Sequence, residues 1–457
     1  MNVDERIDKL NDSLSSLESE KDELVCRALF KGVTGCVELV DKGIKWVGEI
    51  PSHWTVEKGK FLFVLRDEKG GDNPQLLSPT QKYGVIPQSL YEQLTGMVTV
   101  KVNEKTDLQS FKTIKVGDFC ISLRSFEGGF EFSQYNGVVS PAYTVFYGND
   151  RVYNDYYKFL FKSKPFIDEM NSYSLSLRDG KPISFTNFGN TLLPVPPIEE
   201  QIAIAEYLNK KCAEIDDVIA DIKTQIETLK QSKKSLITQA VSRGLVDGVE
   251  MKDSGIQWVG LIPAHWSVLR AKYLFTNGKQ IVGKDVEDYE RLALTMNGVI
   301  KRSKEDANGL QPEKFDTYQI LREGELVFKL IDLQNVTTSR VGLSPYTGIV
   351  SPAYIILKAG EKINPSYAEK YYLSMWMNEI FNYLGDAGVR SSLNATELLE
   401  IAVPVPPIEE QIAIAEYLNK KCAEIDDVIA DKEEQLEVLE SYKKSLIFEI
   451  VTGKRGV

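Results

Sequence analysis

Two stretches of the chain place a mostly apolar residue at alternating intervals of four and three. In the first these are Leu208, Cys212, Ile215, Ile219, Ile222, Ile226, Leu229, Lys233, Leu236 and Ala240. In the second they are Leu418, Cys422, Ile425, Ile429, Lys432, Leu436, Leu439, Lys443, Leu446 and Ile450. Such spacing averages 3.5 residues and keeps one stripe facing a partner helix, so it predicts the seam of a coiled coil. Each arm follows a Pro-Pro pair, Pro196-Pro197 or Pro406-Pro407. Proline suits the first turn of a helix, where its missing N–H would have no partner anyway. The first arm is expected to end near Gly244. Ile7, Leu10, Leu14, Leu17, Lys21, Leu24 and Ala28 repeat the grid near the N-terminus, so residues 1–43 form a partial third arm. Two long arms separated by a folded segment most simply pack antiparallel. Their seam would run roughly 50 Å at about 1.5 Å per residue. That is comparable to two DNA half-sites about one helical turn apart. A dimerisation zipper is the plainer alternative.

The arms belong to a larger internal repeat. Pro194 to Asp221 and Pro404 to Asp431 are the same string, PVPPIEEQIAIAEYLNKKCAEIDDVIAD. GIKWVGEIPSHW (Gly43 to Trp54) matches GIQWVGLIPAHW (Gly255 to Trp266), and VVSPAY (Val138 to Tyr143) matches IVSPAY (Ile349 to Tyr354). The segments between these motifs are far less alike. The expected architecture is α+β: two mixed α/β modules in a pseudo-two-fold repeat, joined by long helices that form an antiparallel coiled coil. The segmentation is 1–43 (N-terminal helix), 44–193 (first module), 194–250 (central arm), 251–403 (second module) and 404–457 (C-terminal arm).

Composition places the chain among globular proteins, with 43% apolar and 26% charged residues. No apolar run is long enough to span a bilayer, and MNVDERIDKLNDSL is too polar for a signal peptide, so a cytoplasmic chain is expected. The net charge of −12 argues against nucleic acid until it is divided. Residues 1–43, 191–255 and 404–457 carry −4, −3 and −5, which is all of it, and the two modules are close to neutral. Acid therefore lies on the arms, and the modules keep the option of local basic surfaces. The five cysteines form no CxxC pair, and the two histidines, His53 and His265, have no cysteine beside them. Neither a metal site nor any cofactor is expected.

The twice-repeated order of WVG.IP.HW, then GDFCISLRSFEGGF or GELVFKLIDLQNV, then VSPAY, then VPPIEEQIAIAEYLN resembles the specificity subunit of type I restriction–modification systems. The resemblance covers essentially the whole chain. It implies that each module is a target recognition domain reading one half of a bipartite, asymmetric double-stranded DNA site. It implies that the arms set the gap and dock two copies of an adenine-N6 methyltransferase subunit, with restriction and translocase subunits joining through the complex. The resemblance also implies a non-catalytic chain. Consistent with that, no Asn/Asp-Pro-Pro-aromatic loop occurs, since Asp72-Asn73-Pro74-Gln75 falls short of it, and no phosphate-binding GxxxxGK[ST] loop is present. The rival reading is a coiled-coil scaffold that binds proteins and no DNA.

Candidate DNA contacts cluster in two places per module. The first module offers Ser122, Arg124 and Ser125, delivered by a predicted strand from Phe119 to Leu123, and then Arg178 and Lys181. In the second module the corresponding stretches hold Lys329, Asp332, Gln334, Asn335, Thr337 and Arg340, then Arg390, Ser391, Ser392 and Asn394. Arginine suits guanine, Gln and Asn suit adenine, an acid can accept from cytosine, and the segments just before the arms suit phosphate. A solvated loop is the alternative for each. The seam residues Leu208, Cys212, Ile215, Ile219, Ile222, Ile226, Leu229, Leu418, Cys422, Ile425, Ile429, Leu436 and Leu439 are the candidate docking and coiled-coil set. His53, His265 and the adjoining tryptophans read as structural anchors. Asp216-Asp217 and Asp426-Asp427 read as a solvated face or a partner-docking charge.

Overall fold

The computed structural model describes residues 38–70, 74–101, 107–121, 129–173, 183–304, 315–333, 338–384 and 392–457. The partial third arm up to residue 37 lies outside them. The described residues form two compact units, and the division runs through both arms. One unit holds the described residues up to Ile222 together with Glu434–Val457; the other is Lys223–Glu433. Each unit therefore contains one module, the near half of its own arm and the far half of the other arm.

The arms are single helices, Ile198–Arg243 and Ile408–Val451. Each starts directly after its Pro-Pro pair, and the carbonyl of Pro197 or Pro407 accepts the first helical N–H groups. Glu199, Glu200, Glu409 and Glu410 occupy the first turns, where the helix dipole favours negative charge. Gly244 and Gly453 close the arms with φ of +74° and +69°, a left-handed conformation that costs glycine nothing. Within each unit the arms run antiparallel. In the unit of the second module, Gln225 and Lys233 of the first arm meet Lys432 and Asp426 of the second. In the unit of the first module, Asp216 meets Lys443.

Both modules are built on the same antiparallel plan. In the first, strand Thr55–Lys58 pairs with Leu192–Val195, the strand that feeds the arm. A four-stranded sheet follows in the order Phe63–Leu65, Thr144–Gly148, Phe119–Ile121, Phe130–Phe132. In the second, Ser267–Arg270 pairs with Ala402–Val405, and the sheet order is Phe275–Asn277, Ile355–Ala359, Leu326–Phe328, Val341–Leu343. The second module adds another four-stranded sheet, Gly298–Arg302, Arg291–Thr295, Gly348–Val350, Gln319–Leu321. Short runs rich in β-branched, aromatic and other apolar residues explain these strands. The VSPAY motifs form turns, with the Tyr143 and Tyr354 N–H groups donating to the carbonyls of Ser140 and Ser351, that start the central strands Thr144–Gly148 and Ile355–Ala359.

No seam separates module from arm in the first unit. One core runs from Trp54, Phe63, Tyr156 and Tyr157 through Ile204, Leu208, Ile215 and Ile219 to Leu446, Ile450 and Val451. The expected α+β architecture, with mixed modules joined by long antiparallel helices, is the one observed.

Candidate nucleic-acid and partner interface

The repeated connector is a set of clamps onto the module it follows. Gln201 is fully buried. Its Nε2 donates to the carbonyls of Arg151 (3.0 Å) and Pro196 (2.9 Å), and its Oε1 accepts from Tyr153 N–H (2.8 Å). Gln411 repeats this with Lys362 (3.1 Å), Pro406 (2.8 Å) and Asn364 N–H (2.7 Å). Glu200 accepts from the Trp54 indole at 3.0 Å and pairs with His53 Nε2 at 2.9 Å; Glu410 pairs with His265 Nε2 at 2.9 Å. The paired IP.HW motifs are thus the sockets for the paired PPIEEQ motifs. The nodes differ in one bond, since the buried Trp266 Nε1 has no acceptor among the described residues.

Buried tyrosines tie the far end of the other arm to the same place. Tyr156 donates to the Val451 carbonyl at 2.7 Å, and Tyr367 donates to those of Pro404 (3.1 Å) and Val241 (3.3 Å). Burial pushes both phenols well above their ordinary pKa, so they remain neutral donors.

The seam residues pack inside the units. Leu208, Cys212, Ile215, Ile219, Ile222, Ile226, Leu229, Leu418, Cys422, Ile425 and Ile429 are all buried, and Leu436 and Leu439 are partly so. The Cys212 and Cys422 thiols are pushed up by burial, which suits packing rather than redox chemistry. The seam lysines reach acids on the facing arm: Lys443 lies 2.6 Å from both carboxylate oxygens of Asp216, and Lys233 likewise from Asp426. One carboxylate of each Asp-Asp pair therefore serves the arm pairing. Lys432 is different. It is buried, donates to Gln225 Oε1 at 2.6 Å, and has its pKa lowered by desolvation. On the outer face, Ile198, Ile202, Ile408 and Ile412 are each at least 36% exposed, at matching positions of the two copies.

Of the candidate DNA contacts, Lys329, Asp332, Arg340 and Asn394 are described, as is Ser392. Ser122, Arg124, Ser125, Arg178, Lys181, Gln334, Asn335, Thr337, Arg390 and Ser391 lie outside the described residues. The two candidate stretches of the second module meet: Ile331 forms a β-bridge with Ser392, and Leu393 N–H donates to the Leu330 carbonyl at 2.9 Å. Asn394 caps helix Ala395–Glu400 by accepting from Thr396 and Glu397 N–H, and Glu397 completes the capping box. Arg340 is buried at 1% exposure, and its guanidinium donates to the carbonyls of Ile331 (3.4 Å), Lys329 (3.5 Å) and Asp332. Lys329 is half-buried and donates to Thr338 Oγ1 at 3.3 Å; burial and then the Arg340 charge lower its pKa.

The stretch that brings these residues together lies within residues 276–438, which match the family model of the type I restriction modification DNA specificity domain. Over this stretch the chain is similar to a type I DNA specificity domain. Its relatives extend the likeness over both modules. The chain is 24% identical over 421 residues to the type I restriction enzyme MjaVIII specificity subunit of Methanocaldococcus jannaschii, covering 89% of this chain and 93% of that one. It is 24% identical over 440 residues to the putative MjaX specificity subunit of the same organism, with coverage of 89% and 95%. A chain solved in a study of assembly and conformational transition of the type I R-M system superposes with a TM-score of 0.63 at 12% identity, covering 89% of this chain and 99% of that one.

The structure also exposes a further matched pair outside the longer repeated motifs. Lys60-Phe61-Leu62-Phe63 and Lys272-Tyr273-Leu274-Phe275 stand 212 positions apart. Leu62, Phe63, Leu274 and Phe275 are buried, whereas Phe61 and Tyr273 are more than half exposed. Lys60 and Lys272 sit 5.3 and 5.4 Å from the neighbouring ring centroids. Three identities in four residues are the signal in the chain, too short to stand out without burial.

Proposed function

We propose that this chain is the non-catalytic, cytoplasmic specificity subunit of a type I restriction–modification complex. Its segments 44–193 and 251–403 are the target recognition domains, and each reads one half of a gapped, asymmetric DNA site. The arms set the gap and dock two methyltransferase subunits, through which restriction subunits join. The observation that carries this reading is the connector: one string, whose Gln201 and Gln411 make the same three hydrogen bonds in each copy, under two modules whose remaining surfaces diverge. Equal outer faces, with Ile198, Ile202, Ile408 and Ile412 exposed, suit two equal partners, while unequal modules suit two unequal half-sites. Convergence of residues 329–333 with 392–394 supports one DNA-facing edge on the second module.

Mapping modified adenines after co-expression with the methyltransferase subunit tests the reading. The expected product is one bipartite, non-palindromic motif with a fixed gap. A continuous or palindromic motif overturns it. A chain that binds its partners but shows no salt-dependent affinity for duplex DNA would support the scaffold instead.

A further inference from the structure

We infer that Arg340 is a positioning residue, whose buried guanidinium holds the loop after strand Leu326–Phe328 in the shape that reads one half-site. The inference rests on the DNA-reading function proposed above. The loop is held from two sides. On one side, Ile331 bridges Ser392 and the Leu330 carbonyl accepts from Leu393 N–H at 2.9 Å. On the other, Arg340 donates to the carbonyls of Lys329, Ile331 and Asp332, three of four consecutive residues. Asp332 has φ of +53°, a left-handed conformation shared among described non-glycine residues only by Glu379. A strained residue persists only where its surroundings over-determine it, and strained residues cluster at functional loops.

The chemistry favours arginine for this task. Buried carbonyl oxygens need donors, and the planar fork of a guanidinium offers five in fixed directions. Lysine offers three on a flexible stem and cannot reproduce the fork. With 1% of its surface exposed, Arg340 cannot reach a base edge or phosphate without giving up these bonds. In the first module the residue just before the matching strand Phe130–Phe132 is Gly129, which has no side chain to act this way. Arg340 lies in the second module, so its loss should affect one half-site.

The test uses the full chain co-expressed with its methyltransferase subunit, as wild type, Arg340→Lys and Arg340→Met. Two quantities are read: base preference in each half of the methylated motif, and the salt dependence of duplex binding. Both variants are expected to lose roughly tenfold or more in discrimination within one half-site. The other half-site should stay unchanged. The slope of log affinity against log salt should stay at the wild-type value, because a lost phosphate contact would reduce it by about 0.9. A lysine variant with full discrimination overturns the inference, since charge would then suffice. A reduced slope with discrimination intact also overturns it, in favour of a direct phosphate contact. If the methionine variant does not fold, hydrogen exchange of the lysine variant decides. Amides of residues 329–333 should exchange faster while those of Ile355–Ala359 do not, and unaltered exchange at 329–333 overturns the inference. A wild-type chain that directs no gapped motif would instead sink the proposed function and leave the exchange result standing.

Discussion

The two modules reach one topology with different interiors. The sheet of the first is packed with phenylalanine: Phe146 touches Phe63, Phe119, Phe130, Phe161, Phe185 and Phe188, all at centroid distances of 5.0 to 6.3 Å. In the second, the matching central strand carries Ile356 and Leu357, and the aromatic contacts shrink to pairs such as Phe328 with Tyr372 at 5.0 Å. The clamps of Gln201 and Gln411, by contrast, agree bond for bond. Cores tolerate exchange of apolar residues when volume and patterning are kept, whereas a buried amide must meet each partner in place. The modules could therefore diverge while the connector could not.

The strongest way to break this comparison is to empty the core of the first module. Phe146→Ala is expected to destabilise by about 3–5 kcal/mol, and Leu357→Ala in the second by about 2–5 kcal/mol, read by denaturant unfolding. A negligible effect of either would mean that the sheet is not the core of its unit. The connector comes next. Gln201→Ala and Gln411→Ala should each cost roughly 2–4 kcal/mol, because three hydrogen bonds are lost and their partners stay buried. The two costs should agree within about 1 kcal/mol if the clamps are equivalent; a clear inequality would show that they are not.

A smaller effect tests a buried asymmetry of the arms, where Ile222 stands in the first and Lys432 in the second. Lys432→Met should stabilise by about 1 kcal/mol or more near neutral pH, by removing a cation from an apolar seam. The Lys432 pKa is lowered on folding, so between its folded value and the ordinary 10.5 the unfolded chain binds more protons. Stability of the wild type should therefore gain on the variant as pH rises through that window. A gap that does not narrow would mean the ammonium is well solvated. The smallest effect belongs to the paired arm contacts. Lys443→Ala and Lys233→Ala should each cost about 0.5 kcal/mol, and less at high salt, because both carboxylates are largely exposed. Unequal costs would separate the two ends of the pairing.

Much of the fold was legible in the residues because its signals are periodic or repeated. The 4,3 spacing predicts both arms and their seam, and the two matched motifs predict two modules of one kind. The strand expected from Phe119 to Leu123 is described over Phe119–Ile121, and residues 122 and 123 lie outside the described residues. The site was less legible. Arg340 and Asn394 look like contact residues in a linear reading because of their chemistry and their polar surroundings. Burial and hydrogen bonding assign Arg340 to the loop backbone and Asn394 to a helix cap, and neither property is local in sequence. The exposed Phe61 and Tyr273 were missed for the opposite reason, since an aromatic residue in an apolar run reads as core.

What the sequence determined by itself is the plan: two divergent modules, one repeated connector, acidic arms and a seam kept in register. Each follows from local spacing or identity, which survive without coordinates. Tertiary structure alone decided the pairing. Only there does Glu200 meet His53 and Trp54, does Tyr156 hold the end of the other arm, and do residues 331 and 392 lie side by side. These contacts join positions tens to hundreds of residues apart. Their free energy arises from burying polar groups together and from sharing one core, and it belongs to the folded chain rather than to any stretch of it.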